Sequence, residues 1–233
     1  YDDVLNDFVL TENISDVTSM DISNYQNEED YVSDLTGIGG FTALTYLDCS
    51  YNQLTSLNLS ANTALDTLYC RSNSLTSLDV SANTALNILK CGNNPLSSLD
   101  VSTNTTLATL ECGSTQITNL DLSSNTAINQ LHCNNNQLTY LNMKNGITDQ
   151  LSNFNATNNS LTCIETLDLD YATTNWTSDN GNIDAGVTFN VICGAEEQTE
   201  WYVAATGSNA SGDGTQENPL ASIQPGISVA TEG

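Results

Sequence analysis

The sequence predicts a mainly β solenoid of short parallel strands, and three observations carry that prediction. From Leu44 the chain repeats itself, with turns opening at Leu44, Leu65, Leu86, Leu107 and Ile128, each 21 residues after the last. Within each turn apolar residues recur at positions 1, 4, 6, 11 and 14 and usually 16, alternating with other side chains around position 5. The 233-residue chain is also only 13% charged, its polarity coming from Asn, Ser and Thr. A unit of this length cannot bury its own hydrophobic side. Stacked at the ~4.8 Å spacing of neighbouring strands, successive units share one continuous core.

Each element follows from the second turn, where the apolar set is Leu65, Leu68, Cys70, Leu75, Leu78 and Val80. The period of two around Tyr69 marks a strand with one buried face. The stretch LTSLDVS has the same spacing and leaves no room for a helix, so extended segments are expected on both sides of each coil. Position 9 is Asn52, Asn73, Asn94, Asn136 and Asn159, with Thr115 as the exception. An inward Asn at a turn can hydrogen-bond backbone groups of its own and the adjoining coil. A sixth turn opens at Leu151, 23 residues after the fifth, which places a two-residue insertion between Lys144 and Asp149. Cys49, Cys70, Cys91, Cys112 and Cys133 all occupy position 6 and form an internal column. Buried small hydrophobes explain them, since a metal or redox array needs thiolates converging on one point.

Charge excludes whole classes of function. With 28 acidic residues against 3 Lys+Arg, a net charge of −25, the chain cannot neutralise phosphates, so nucleic acid and anionic membrane surfaces are disfavoured. No run approaches the ~18–20 apolar residues that span a bilayer. The chain starts at Tyr1 without a basic, apolar leader, as a mature or trimmed fragment does. The acids are unevenly placed: 10 of the 28 lie in residues 1–36, and only seven between Gly37 and Cys163. The acidity therefore belongs to the ends, around a nearly uncharged Asn/Ser/Thr coil.

These repeats resemble the leucine-rich-repeat superfamily, pattern LxxLxLxxNxL, and within it the 21-residue bacterial class LxxLxCxxNxLxxLDLxxN, over about residues 44–166. The resemblance implies parallel strands lining a concave face, capped ends, and secreted or surface proteins that bind macromolecules. Residues 1–43 then read as an N-terminal cap and degenerate first turn, with Val17, Met20, Ile22, Val32, Leu35, Ile38 and Phe41 interrupted by the acidic NEED at 27–30. The opening residues resemble the end of the cap in marine Bacteroidetes proteins, which implies that part of it is missing. Residues 167–194 read as a C-terminal cap. Its resemblance to caps of the same proteins implies a Cys163–Cys193 disulfide and an oxidising, extracellular or cell-surface location. Residues 195–233 read as a linker and the truncated start of a pectate-lyase-like β-helix domain, on WYV, GSNASGDGT and NPLASIQ.

The candidate ligand-binding residues are Tyr46, Asp48, Tyr69, Arg71, Lys90, Glu111 and His132, at the outward positions 3, 5 and 7 of successive strands. Two of the three basic residues and the single His fall there. Against this stands the plain reading that such positions are ordinary solvated strand residues. Glu111 and His132 can neighbour one another as an acid–base pair, but no nucleophile stands beside them, and no catalysis is expected. Asp79, Asp100 and Asp121 stack at position 15; turn-capping carboxylates explain them, with calcium as the alternative and the one cofactor considered. Columns such as Thr55, Thr76, Thr118 and Thr139, or Thr63, Thr84, Thr105 and Thr126, can bind ice on a flat solenoid, although β propensity and solubility account for them. The expected function is non-catalytic recognition or adhesion, with a protein or polysaccharide partner. The competing expectations are an accessory module presenting substrate to a polysaccharide-degrading enzyme, and a structural spacer.

Overall fold

A computed structural model describes residues 14–25 and 30–194. The opening of the N-terminal cap, most of the NEED insertion, and the linker with the β-helix start lie outside the described residues. Within them run eleven three-residue strands: β1 (Ser19–Asp21), β2 (Tyr46–Asp48), β3 (Thr67–Tyr69), β4 (Ile88–Lys90), β5 (Thr109–Glu111) and β6 (Asn119–Asp121). The series continues with β7 (Gln130–His132), β8 (Tyr140–Asn142), β9 (Asn153–Asn155), β10 (Cys163–Glu165) and β11 (Thr188–Asn190). All pairs are parallel. One sheet has the order β1-β2-β3-β4-β5-β7-β9 and the other β11-β10-β8-β6. The first sheet's register joins equivalent residues of successive turns, Leu47 to Leu68 to Leu89 to Leu110 to Leu131 to Phe154.

Extended segments were expected on both sides of each coil; on the second side they pair as a ladder within the repeats only from Asn119 onward. Its position 13 is Ser in the first three turns, Ser56, Ser77 and Ser98, and becomes Asn119, Tyr140 and Cys163 where pairing starts. The core between the two sides is continuous. Leu68, Cys70, Leu75, Leu89, Cys91 and Leu96 have no solvent exposure, and the same holds at the matching positions of neighbouring turns. All five position-6 cysteines are buried and free. Burial pushes Cys91 and Cys133 up to about 12, and Cys70 and Cys112 well above the ordinary thiol value, so none is a nucleophile near neutral pH.

Each coil turns sharply at position 8. Tyr51, Ser72, Asn93, Ser114, Asn135 and Asn158 all take positive φ between 54° and 58°. This left-handed conformation is uncommon away from glycine. It is held because the strained residue donates to the next rung, as Asn93 N–H does to Gly113 O at 2.9 Å. The following Asn then staples rungs together. Asn94 Nδ2 donates to Cys70 O (2.9 Å) and Cys91 O (3.0 Å), while its Oδ1 accepts Leu75 N–H (3.0 Å). Thr115 reproduces part of this, bonding Cys112 O and Asn136 Oδ1 through its hydroxyl. A second Asn column, the last Asn of the LxxLxCxxNxLxxLDLxxN pattern, stands at position 19. Asn62, Asn83, Asn104 and Asn125 are wholly buried, and their amides donate to carbonyls of the preceding coil, as Asn104 does to Val80 O and Asn83 O.

The two-residue insertion is absorbed at Gly146, φ 75°, and in the 3-10 turn Thr148–Gln150. Beyond the repeats the chain forms α1 (Leu169–Asn175), whose first turn is capped by the Asp168 carboxylate accepting Tyr171 N–H. Trp176 follows it and packs on Phe154 and Phe189, at ring separations of 4.6 and 5.9 Å. The Cys163–Cys193 disulfide is formed. Beside it the buried Glu165 accepts Cys193 N–H and meets Lys144 Nζ at 2.7 Å, which employs the third basic residue. Among the described residues no helix is long and apolar enough to cross a membrane.

Candidate functional site

Because strand side chains alternate, a buried Leu at position 4 sends positions 3 and 5 to the outer face of the seven-stranded sheet. In-register pairing then stacks each position into a column. The position-5 column reads Asp21, Asp48, Tyr69, Lys90, Glu111, His132 and Asn155. Position 3 reads Ser19, Tyr46, Thr67, Ile88, Thr109, Gln130 and Asn153 along the same rungs. The structure thus brings Tyr46, Tyr69, Lys90, Glu111 and His132 onto one surface.

Asp48 is a correction. Placed among the exposed residues by its position, it is 4% exposed, its carboxylate accepting Ser50 N–H at 2.9 Å. It holds its own turn and presents little to a ligand. Thr67, Thr109 and Ser50 are likewise buried, since neighbouring rungs less than 5 Å apart cover short side chains between longer ones. At position 7 the crowding is greater. A Cβ on Gly92 meets Gly113 O at 2.7 Å, so only glycine fits there without a shift.

The cations are not free charges. Lys90 Nζ lies 2.8 Å from Glu111 Oε1 and 5.2 Å from the centre of the Tyr69 ring. Tyr69 in turn packs edge-on against Tyr46 at 5.7 Å. Arg71 reaches back to two residues that the sequence reading passed over, Tyr25 and Tyr51. Its guanidinium carbon is 5.8 and 5.4 Å from their ring centres, and one terminal nitrogen donates to the Tyr25 hydroxyl at 3.2 Å. The two rings touch at 4.5 Å, and Tyr25 remains half exposed. That hydrogen bond holds Arg71 more firmly protonated than usual, and its Nε is buried without a hydrogen-bond partner. Tyr25 was concealed because it lies outside the regular repeats. Tyr51 was concealed because position 8 was not counted as part of the face.

Glu111 and His132 face one another on adjacent strands, β5 and β7. The carboxylate is already paired with Lys90, and no serine or cysteine nucleophile belongs to the pair. Asp79, Asp100 and Asp121 lie away from this sheet. Each accepts the backbone N–H of the Ser two residues on, all at 2.9 Å. Those bonds, side-chain hydroxyl first for Asp79 and backbone first for Asp100, hold both carboxyls below the ordinary carboxylate range. Among the described residues no three His, Cys, Asp or Glu side chains converge as metal ligands.

No protein-family model matches the chain, and no curated protein sequence does either. Solved structures do. An internalin, InlF of Listeria monocytogenes, shares 24% identity over 76% of this chain and 48% of its own, with a TM-score of 0.58. The leucine-rich-repeat ectodomain of the Arabidopsis thaliana receptor kinase GASSHO1/SCHENGEN3, solved with Casparian strip integrity factor 2, shares 18% over 68% and 20%, with a TM-score of 0.53. The functional domain of InlJ from Listeria monocytogenes, described as including a cysteine ladder, shares 30% over 67% and 45%, with a TM-score of 0.42. This chain therefore spans less than half the length of each. The fold is that of a leucine-rich-repeat solenoid.

Proposed function

We propose that this chain is a non-catalytic recognition module that docks a macromolecule onto the outer face of its seven-stranded sheet. The observation that carries the reading is the cluster of Tyr25, Tyr46, Tyr51 and Tyr69 with Arg71 and Lys90. Here the two cations on the sheet lie against rings, on a surface whose inward positions are fixed by the repeat. Aromatic residues and Arg carry much of the binding energy in interfaces, and cation–ring contacts pre-order the long side chains before a partner arrives. Exported, cell-surface placement belongs to the same reading and is supported by the Cys163–Cys193 disulfide, which persists in oxidising compartments. The likeness to an internalin and a receptor ectodomain supports it at the level of fold. Catalysis gains no support, since the face is open and its one acid–base pair lacks a nucleophile.

The test is a binding screen against glycans and envelope proteins, repeated with a Tyr69→Ala/Arg71→Ala double variant. Loss of binding by at least tenfold, with unchanged circular dichroism, is the expected result. Equal binding by the variant refutes the assigned face.

A further inference from the structure

The sheet's outer face has two ends of different chemistry, and the second bears on what it binds. Rungs β2 and β3 supply Tyr46 and Tyr69. Rungs β7 and β9, with the residues just after them, supply Gln130, His132, Asn134, Asn153 and Asn155 in register. The inward Asn columns at positions 9 and 19 are consumed by the backbone, as at Asn94 and Asn104. The side chains of Gln130, His132, Asn134 and Asn153 instead make no hydrogen bond to any described residue. They are planar groups offering donors and acceptors together.

We infer that the ligand is a neutral, hydroxyl-rich polysaccharide laid across the rungs, an inference that rests on the recognition reading above. Three observations favour it. First, the face has no surplus of positive charge to hold a polyanion. Lys90 is neutralised by Glu111, Asp21 and Asp48 sit on the same column as Tyr69, and the whole chain carries −25. Second, the face lacks the apolar centre of a protein interface. The exposed large hydrophobics among the described residues are Tyr25, Tyr31 and Leu167, of which Tyr25 alone touches the cluster. Third, a sugar ring presents a C–H face and a rim of hydroxyls. Tyr46 and Tyr69 match the face; the unpartnered amides and imidazole match the rim, each able to accept from one hydroxyl and donate to the next. The in-register strands give a track of about 24 Å from β2 to β9, long enough for several sugar residues rather than one.

The experiment is titration calorimetry with four neutral polysaccharides (laminarin, dextran, xylan and galactomannan) and two anionic ones, alginate and carrageenan. The wild type is compared with Tyr69→Ala and with Gln130→Ala/Asn153→Ala, all substitutions at surface positions. The expected result is binding of at least one neutral polymer, insensitive to salt, and weakened about tenfold or more by either variant. Binding of the anionic polymers alone, or of no polysaccharide, overturns the inference. If no polysaccharide binds but a protein ligand does, and Tyr69→Ala abolishes that complex, the glycan inference falls and the recognition face stands. If a neutral polymer binds equally to wild type and both variants, the assigned face falls as well.

Discussion

Removing the amide of Asn94 tests whether the position-9 column staples the rungs, because the structure assigns unequal costs to chemically identical substitutions. In Asn94→Ala the Leu75 N–H loses its acceptor and Cys91 O loses its donor, while Cys70 O keeps Asn73 Nδ2 at 3.1 Å. Two buried backbone groups are left unpaired. At about 1–3 kcal/mol each, the loss is about 4 kcal/mol. In Asn73→Ala both carbonyls retain a second donor, Cys49 O from Asn52 and Cys70 O from Asn94, so only Leu54 N–H is stranded. That loss is about 2 kcal/mol. The asymmetry originates at Thr115, which stands where an Asn would give Cys91 O a second donor. Thr115→Asn is therefore expected to stabilise the protein by about 1 kcal/mol and to lessen the cost of Asn94→Ala. Urea unfolding followed by circular dichroism measures the wild type, the three single variants and the Thr115→Asn/Asn94→Ala double variant, at constant m-value. Equal losses for Asn73→Ala and Asn94→Ala, or strict additivity of Thr115→Asn with Asn94→Ala, refute the bookkeeping of shared donors.

Three further outcomes are expected. Burial raises the column thiols, Cys49, Cys91 and Cys133 to about 12 and Cys70 and Cys112 well above the ordinary thiol value, so the folded state keeps protons that the unfolded chain releases above the ordinary value of 9.0. Stability is then fully present below pH 9 and falls as pH rises toward 12, by up to about 1.4 kcal/mol per pH unit for each thiol. A urea midpoint unchanged between pH 8 and about 10.5 contradicts this. Cys163→Ser/Cys193→Ser is expected to lower stability by about 3–4 kcal/mol in the chain-entropy picture, read from the urea midpoint with and without reductant on the wild type. Since Asp79, Asp100 and Asp121 already accept turn N–H groups, EDTA is expected to leave the melting temperature unchanged; a rise on adding calcium gives that column a metal instead.

The fold was readable because the repeat overdetermines its inward positions. Leu at 1, 4, 11 and 14, Cys at 6 and Asn at 9 recur through the array and are buried where the period puts them, apart from the half-buried Leu57, Asn136 and Asn159. Asn62 and its counterparts at position 19 share the period and close the LxxLxCxxNxLxxLDLxxN pattern, but no role was assigned to them; they are wholly buried, and their amides satisfy carbonyls such as Val80 O. Other features fell outside the period. The helix Leu169–Asn175 lies past the last repeat, where LDYATTN carries no periodic apolar signal. Arg71 was identified, but its partners Tyr25 and Tyr51 were not, since one lies 46 residues away in sequence and the other at the left-handed turn.

The same crowding determines where specificity can reside. A residue at position 7 stands just before the left-handed turn and against the next rung, so Ser50 and Gly92 are buried, and a methyl group on Gly92 would strike Gly113 O. Variation there is limited to side chains that can leave the rung, as Arg71 does by folding back onto Tyr25 and Tyr51. Position 3 is half closed as well, with Thr67 and Thr109 buried between larger neighbours. The solenoid thus leaves a short list of side chains free to meet a partner. That list changes along the array, from rings at Tyr46 and Tyr69, through the self-neutralised Lys90–Glu111 pair, to unpartnered amides at Gln130 and Asn153. A surface that varies in this direction, on a scaffold held constant underneath it, reads an extended ligand laid across successive rungs more readily than a small one held on a single rung.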